Sequence, residues 1–275
     1  MILPELSEAF FSSAISGIED TANKNKYTVL LGQSHDDEGR EKQIVETMKN
    51  HRVDGLLISI SKNTTNYDHF EMLKRHNIPL VFFDRIPNMP GIHYIACNME
   101  SGTIQAVSFL LKKGHRVIGM INGPEKLFAS GERLEGYIKA MKKHRLKFDP
   151  NLIITSDLTK EETHEAMGKL LSQQRKPTAI VTFNDYVALD AIEYAKQMKL
   201  KINKDITFVS YANLPISHYL ASPPVASVEQ YPYQQGQKAA ETLIDILNKN
   251  NEETDTTTYY KIILESQLIT HNKKQ

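Results

Sequence analysis

The sequence predicts an α/β fold of two Rossmann-like lobes, each built around a parallel sheet. Three observations predict it. Apolar runs of strand length alternate with amphipathic helical stretches almost throughout the chain. Most of these runs are rich in Val, Ile and Phe, as strands buried on both faces should be. The alternation breaks once, over residues 85–98 (RIPNMPGIHYIACN), where two prolines, a glycine and little helical period suggest a crossing between lobes.

A stub of strand opens the chain at residues 1–3. In Phe11–Ala22 the apolar set Phe11, Ala14, Ile15, Ile18 and Ala22 has i, i+3, i+4, i+7 spacing and predicts a helix. Strands are predicted at Tyr27–Leu31, Val53–Ile58 and Ile78–Phe83 in the first lobe. Glu100–Lys113 predicts a helix that stops at Gly114, a good C-terminal cap residue. The second lobe takes strands at Val117–Ile121, near 152, at Ala179–Phe183 and at Ile206–Val209. Further helices are predicted at Tyr186–Met198 and Tyr233–Leu247. Residues 248–258 (NKNNEETDTTT) read as a solvated loop, and the tail after Thr270 as frayed. No internal repeat of 20–50 residues is visible.

The chain has 275 residues, enough for one or two domains with their own cores. Thirty-three basic residues balance 33 acidic ones, which argues against a free-standing nucleic-acid binder. The single cysteine, Cys97, excludes an internal disulfide framework and a Cys-based zinc cage; a buried small residue is its simplest reading. Apolar runs fall far below the roughly 18 residues needed to span a membrane. No leader opens the sequence, so a soluble, cytoplasmic protein is expected.

Ligands of open α/β sheets bind outside the carboxyl ends of the strands. Asp84 and Arg85 follow Ile78–Phe83. Asn122 follows Val117–Ile121, and a loop then leads to Arg133. Asn184 and Asp185 follow Ala179–Phe183, and Tyr211, Ala212 and Asn213 follow Ile206–Ser210. Phe10 and Phe11 open the first helix. Such a set suits a small hydroxylated ligand: carboxylates and amides pair with hydroxyls, Arg offers a fork of donors, and rings cover an apolar face. Blander readings stand beside these. Asn184–Asp185 could simply cap the next helix. Phe11 shares the apolar face of its helix, which leaves Phe10 as the better pocket candidate. Arg85 could lie on a solvated rim. Arg133, at a helix start where a cation opposes the dipole, needs something else to hold it.

No enzyme motif is present: no G-x-G-x-x-G after a strand, no P-loop, no G-x-S-x-G and no H-E-x-x-H. His35 with Asp36 and Asp37 reads as a solvated loop rather than a metal site. No catalytic residue, metal or cofactor is therefore expected.

In order along the chain, "LSEAFFSSAISGIEDTANKNKYTVLLGQS", "VDGLLIS", "IPLVFFDR", "NMESGTIQAVSFLLKKGHRVIGMINGP", "RLEGYIKAM", "PTAIVTFNDYVALDAI", "DITFVSY" and "VASVEQYPYQQGQKAAETLIDIL" resemble the effector-binding region of the LacI/GalR regulators. The resemblance covers nearly the whole chain. It implies the periplasmic-binding-protein type I fold, with two lobes joined by three crossings. By that pattern the first lobe is about 1–97 plus 230–257, and the second about 98–228 plus 259–275. It also implies a homodimer, a carbohydrate-like effector in the cleft, and a change of lobe orientation that sets operator affinity.

Residue by residue, the resemblance puts Phe10, Phe11, Ser59, Asp84 and Arg85 at pocket positions of the first lobe. It puts Arg133 at the effector-anchoring arginine, Asn184 and Asp185 at the "ND" pair, and Gln230 at a polar crossing position. The departures lie elsewhere. Ala212, with Asn213 next, stands where the family usually has an effector-binding Asp. Leu127 and Phe128 make the loop before Arg133 unusually apolar. Residues 1–275 contain nothing like the family's helix-turn-helix or hinge helix, so operator binding is expected only through a separate N-terminal headpiece. A periplasmic sugar-binding protein of a transporter shares the fold and is the alternative.

Overall fold

A computed structural model describes residues 1–249 and 259–271; the expected loop at 248–258 and the tail after Thr270 fall largely outside the described residues. The chain divides into two compact units. The first holds Met1–Cys97, Lys126–Phe128 and Tyr231–Leu264; the second holds Asn98–Glu125, Ala129–Gln230 and Glu265–Gln275.

The first unit begins with β1 (Ile2–Leu3), α1 (Ala9–Lys24), β2 (Gly32–Gln33), α2 (Glu38–Asn50), β3 (Leu56–Ile58), α3 (Asp68–Arg75), β4 (Leu80–Phe83) and β5 (His93–Cys97). The chain then builds α4 (Met99–Lys112), β6 (Ile118–Asn122), α5 (Phe128–Lys143), β7 (Ile153–Thr155), α6 (Lys160–Leu171), β8 (Ala179–Thr182), α7 (Asp185–Gln197), β9 (Thr207–Tyr211) and β10 (Ala226–Glu229). It returns to the first unit with α8 (Pro232–Lys249) and β11 (Lys261–Leu264), and β12 (Gln267–Thr270) follows.

Among the described residues, the first sheet has the order β11-β5-β4-β3-β1-β2 and the second β12-β10-β9-β8-β6-β7. All pairings are parallel except that of β10 with β12. Central strands are apolar on both faces because helices cover both. Val81, Phe82 and Phe83 in β4, and Val181 and Val209 in the second sheet, are fully buried. Helices α1 and α8 pack through glycines. A Cβ on Gly17 would lie 2.1 Å from the Tyr233 carbonyl oxygen, and one on Gly236 2.1 Å from that of Ala14. Two backbones this close admit no side chain at either position.

Three expectations need correction. Tyr27–Leu31 is not a strand. The register pairs Ile2 with Gly32 and Leu3 with Gln33, so Tyr27–Leu31 run past the first residue of β1. Leu30 and Leu31 are exposed, and between Tyr27–Leu30 and Val53–Leu57 lies a cavity of about 310 Å³. Residues 85–98 are not only a connection. Their second half is β5, which pairs with β4 and β11 and ends at the buried Cys97. Lys261–Leu264 belong to the first sheet rather than the second lobe, because Ile262 and Ile263 sit beside Ile95 and Ala96.

Candidate functional site

In the first unit the polar groups gather where the chain leaves the carboxyl ends of β1, β2, β3 and β4. Asp84 follows β4 with φ +59, a left-handed conformation uncommon for a residue with a side chain. Its Oδ2 accepts a hydrogen bond from the buried Ser59 hydroxyl at 3.4 Å. Arg85 is no solvated rim residue. It donates to Asp36 Oδ1 at 2.6 Å, the two side chains being 14% and 22% exposed, and its guanidinium lies 5.7 Å from the Phe11 ring centre. Phe10 meets Phe11 edge to face at 5.3 Å, and both rings are buried. The loop at 35–37 is solvated at His35 and Asp37, as expected, yet it is also held in place. Asp36 also accepts from the Lys62 backbone N–H at 2.8 Å, and Asp37 caps α2 through the Arg40 N–H.

Glu8 completes this group. It occupies the N-cap position of α1, where Ser, Thr, Asp or Asn is preferred, and its side chain caps nothing. Burial holds its carboxyl above the usual range. Arg85 opposes that shift, while Asp84, Asp36 and Glu5 reinforce it.

In the second unit the strand ends of β6, β8 and β9 carry the corresponding set. Arg133 lies one turn inside α5, so the helix dipole is not what places it. Its guanidinium lies 4.0 Å from the Phe183 ring centre and 4.5 Å from that of Tyr211, and it donates to the Ala129 carbonyl at 3.2 Å. Buried at 3% exposure, it is held by cation–π contacts that gain strength where water is excluded. Tyr211 hydrogen-bonds Thr103, and burial pushes its phenol up to about 12. Asn122, the last residue of β6, donates to the Ser130 carbonyl at 3.0 Å. Its Oδ1 and the Ser130 hydroxyl are buried with no hydrogen-bond partner.

Other predicted residues turn out to build the scaffold. Asn184 caps α7, its Oδ1 accepting from the Val187 N–H at 2.9 Å. Asp185 is 1% exposed and takes hydrogen bonds from the hydroxyls of Ser210 and Ser227 and from the Leu214 N–H. A buried carboxylate needs such donors, and these tie the loop after β9 to the start of α7. Ala212 adopts φ +86 and Asn213 φ +48 in that loop. The Asn213 amide donates to Glu229 at 2.8 Å and its Oδ1 meets His271 at 3.0 Å, so both ends are engaged within the unit. Gln230 is buried, and its N–H bonds to Glu229. Phe128, the first residue of α5, is 55% exposed, whereas Leu127 is buried.

The structure thus groups Phe10, Phe11, Ser59, Asp84 and Arg85 in the first unit, and Arg133 with Phe183 and Tyr211 in the second. Sequence reasoning passed over Glu8 and the role of Asp36. A glutamate at an N-cap position was the available signal for Glu8; Asp36 gave none, because its partner lies 49 residues away. The 310 Å³ cavity is a separate feature. It opens near the amino ends of β1 and β3, lined by residues such as Ile18, Tyr27, Met48 and Leu243, and none of the polar groups above lines it.

A family model described as periplasmic binding proteins and sugar binding domain of the LacI family matches residues 1–264. The HTH-type transcriptional repressor CytR of Escherichia coli is 30% identical over 248 residues, which is 89% of this chain and 71% of that protein. A putative ribose operon repressor from Burkholderia thailandensis has a similar structure. It shows a TM-score of 0.87 at 28% identity, over 98% of this chain and 97% of that one. A periplasmic binding protein/LacI transcriptional regulator from Alkaliphilus metalliredigens, solved with D-xylulofuranose, matches with a TM-score of 0.81 at 25% identity, over 98% and 95% of the two chains. Among the described residues no helix is long and apolar enough to cross a membrane. With the family model spanning all but the last residues of the chain, this protein belongs to the family of periplasmic binding proteins and LacI-type sugar-binding domains.

Proposed function

We propose that this chain is the effector-sensing and dimerisation region of a LacI-type transcriptional regulator acting in the cytoplasm. A small carbohydrate-like effector engages the strand ends of both units. The observation that carries this reading is Arg133, a buried guanidinium stacked against Phe183 and Tyr211 at the carboxyl ends of β8 and β9. Phe10, Phe11, Asp84 and Arg85 supply the first unit's share. The sugar complex of the Alkaliphilus relative supports the ligand class.

The mechanism is a population shift. An effector that touches both units favours one arrangement of them over another by its differential affinity, and a homodimer passes that bias to its DNA-binding headpieces. Operator contact belongs to those headpieces, which residues 1–275 do not include. A transporter-linked binding protein shares the fold, but the repressor relatives favour the regulator.

The test is a thermal-shift screen of the purified chain against pentoses, hexoses, their phosphates and nucleosides. A ligand that binds only the folded state raises the melting temperature by mass action. The expected result is a saturable rise with one sugar class that Arg133→Ala abolishes. A flat response across the panel overturns the reading, and a rise unchanged by Arg133→Ala removes Arg133 as the anchor.

A further inference from the structure

Parallel strands put the turns that enter them on one edge of a sheet, and in the second unit that edge is basic. Strands β9, β8, β6 and β7 lie side by side and parallel. The turns leading into them contain KKGHR at 112–116, KKHRLK at 142–147, RK at 175–176 and KLKINK at 199–204. These stretches hold 12 Lys and Arg and no Asp or Glu. All 12 are exposed. Short contacts tie the turns together: His115 Nδ1 meets Thr178 Oγ1 at 2.9 Å, and the Thr207 N–H donates to the Thr178 carbonyl at 3.0 Å.

Neighbouring acids do not neutralise this edge. Asp149 accepts the Asn151 N–H at 3.0 Å, and Asp205 the Lys201 backbone N–H at 2.8 Å. The unit's lysine ion pairs lie elsewhere, at Lys139, Lys160 and Lys169, and among the described residues none of the 12 forms one. Helix C-termini favour cations through the dipole, which accounts for Lys112 and Lys143 in the last turns of α4 and α5. It does not account for Arg145, Lys147, Arg175 or Lys204, which lie beyond the helices. A solvated surface interleaves both signs, whereas a field of one sign repels itself and gains when an anion arrives. The balance of 33 basic and 33 acidic residues over the whole chain conceals this segregation.

The edge offers little to an apolar partner. Along 112–116, 142–147, 172–178 and 196–206 the exposed large apolar side chains reduce to Met198. A protein interface builds its core from aromatic and apolar groups and is depleted in Lys, and a membrane surface takes an apolar face. A phosphate backbone needs neither; cations bind it and release its counterions.

We propose that this edge of the second unit binds the phosphate backbone of double-stranded DNA without reading its sequence. It lies at the amino ends of strands whose carboxyl ends carry Asn122 and Arg133, so the contact is separate from the effector groups. Four strands at about 4.8 Å spacing span about 15 Å. That length of duplex carries about nine phosphates, about half of them on one side. Only the choice of DNA among duplexes rests on the regulator reading above.

The test is fluorescence anisotropy of a labelled DNA duplex of arbitrary sequence with the purified chain. Binding is expected at about 50 mM salt and should weaken about 100-fold by about 200 mM, the slope of about four neutralised phosphates. Arg145→Glu combined with Lys204→Glu should weaken it about tenfold or more without lowering the melting temperature. Lys160→Glu combined with Lys238→Glu changes the net charge equally at exposed positions off this edge, and should leave binding within about twofold. Absence of binding at low salt, or an equal loss in both double variants, overturns the proposal. Tighter binding to duplex RNA, or to phosphatidylserine vesicles, overturns the DNA assignment. If an effector binds and DNA does not, this inference falls and the regulator reading stands; if DNA binds and no effector does, the reverse holds.

Discussion

Each unit leaves a central strand through a left-handed residue that is not glycine: Asp84 after β4 in the first unit, Ala212 after β9 in the second. The backbone solution is the same and the chemistry is opposite. Asp84 keeps a carboxylate at the strand end, beside Ser59 and in the field of Glu8 and Arg85. Ala212 offers a methyl group, and the carboxylate near it, Asp185, is consumed in holding Ser210, Ser227 and the Leu214 N–H. The first unit thus keeps a carboxylate at its strand end beside a serine hydroxyl, while the second ties its acid into a loop and presents a guanidinium braced by rings. A carboxylate after a strand is not a binding residue by position alone. What decides it is whether the protein has already filled its oxygens.

The largest expected effect breaks the second unit. Asp185→Ala leaves two buried hydroxyls and a backbone N–H without their acceptor, and should cost about 3 kcal/mol of stability in urea unfolding. If the loss is under about 1 kcal/mol, Asp185 is not the scaffold group described and is free to serve a ligand.

Arg133→Ala comes next. It removes the cation from between Phe183 and Tyr211 and should weaken effector binding by about 100-fold while the chain stays folded. Calorimetry with whichever sugar stabilises the protein checks it. Arg133→Lys should not restore binding, since an ammonium lacks the planar fork.

Glu8→Gln probes the opposite unit and should change stability in the opposite direction. Burial raises the carboxyl pKa of Glu8, so the folded chain holds its proton more tightly than the unfolded chain. Stability contributed by this group is therefore present at low pH and lost as pH rises through the folded value. At pH 7 the neutral glutamine should raise the melting temperature by about 1–2 °C. It should also flatten the pH dependence above the ordinary glutamate range. A drop in melting temperature at pH 7 would mean that Glu8 is a structural ion-pair partner of Arg85.

The smallest effect is at the turn itself. Ala212→Gly relieves a φ of +86 but loosens the unfolded chain, two terms that nearly cancel to a gain of about 0.5 kcal/mol. Ala212→Asp is the sharper companion, since it would give the second unit the carboxylate that the first unit has. New or tighter sugar binding by that variant would show that the two strand ends are interchangeable in kind. Unchanged binding would show that the pocket has been rebuilt beyond this one position.

The sequence alone determined the α/β class, the order of most elements and the family. These depend on local periodicity and on motifs spread along one dimension. Helices α1, α4, α7 and α8 lie within three residues of their predicted ends, because each has an apolar face of helical period. The failures were non-local. Tyr27–Leu31 has strand composition, yet the β1 register begins only at Gly32, with the Met1 amine reaching the Leu30 carbonyl just before it, and composition does not reveal a neighbour's length. Strand β5 hid in a proline-rich stretch because its partners, Leu80–Phe83 and Lys261–Leu264, come from either side of it in sequence, one of them far away. The strand-end residues themselves were legible, but their duties were not. Asn184, Asp185 and Asn213 look alike on paper as ligand groups. The cap that Asn184 makes on α7 was one of two readings open from the sequence, but only the tertiary structure showed which hydroxyls and N–H groups engage Asp185, which partners engage Asn213, and that Asn122 Oδ1 is buried without a hydrogen-bond partner. Burial presses polar atoms to find partners, and which partner each finds is settled by the fold, not by local sequence.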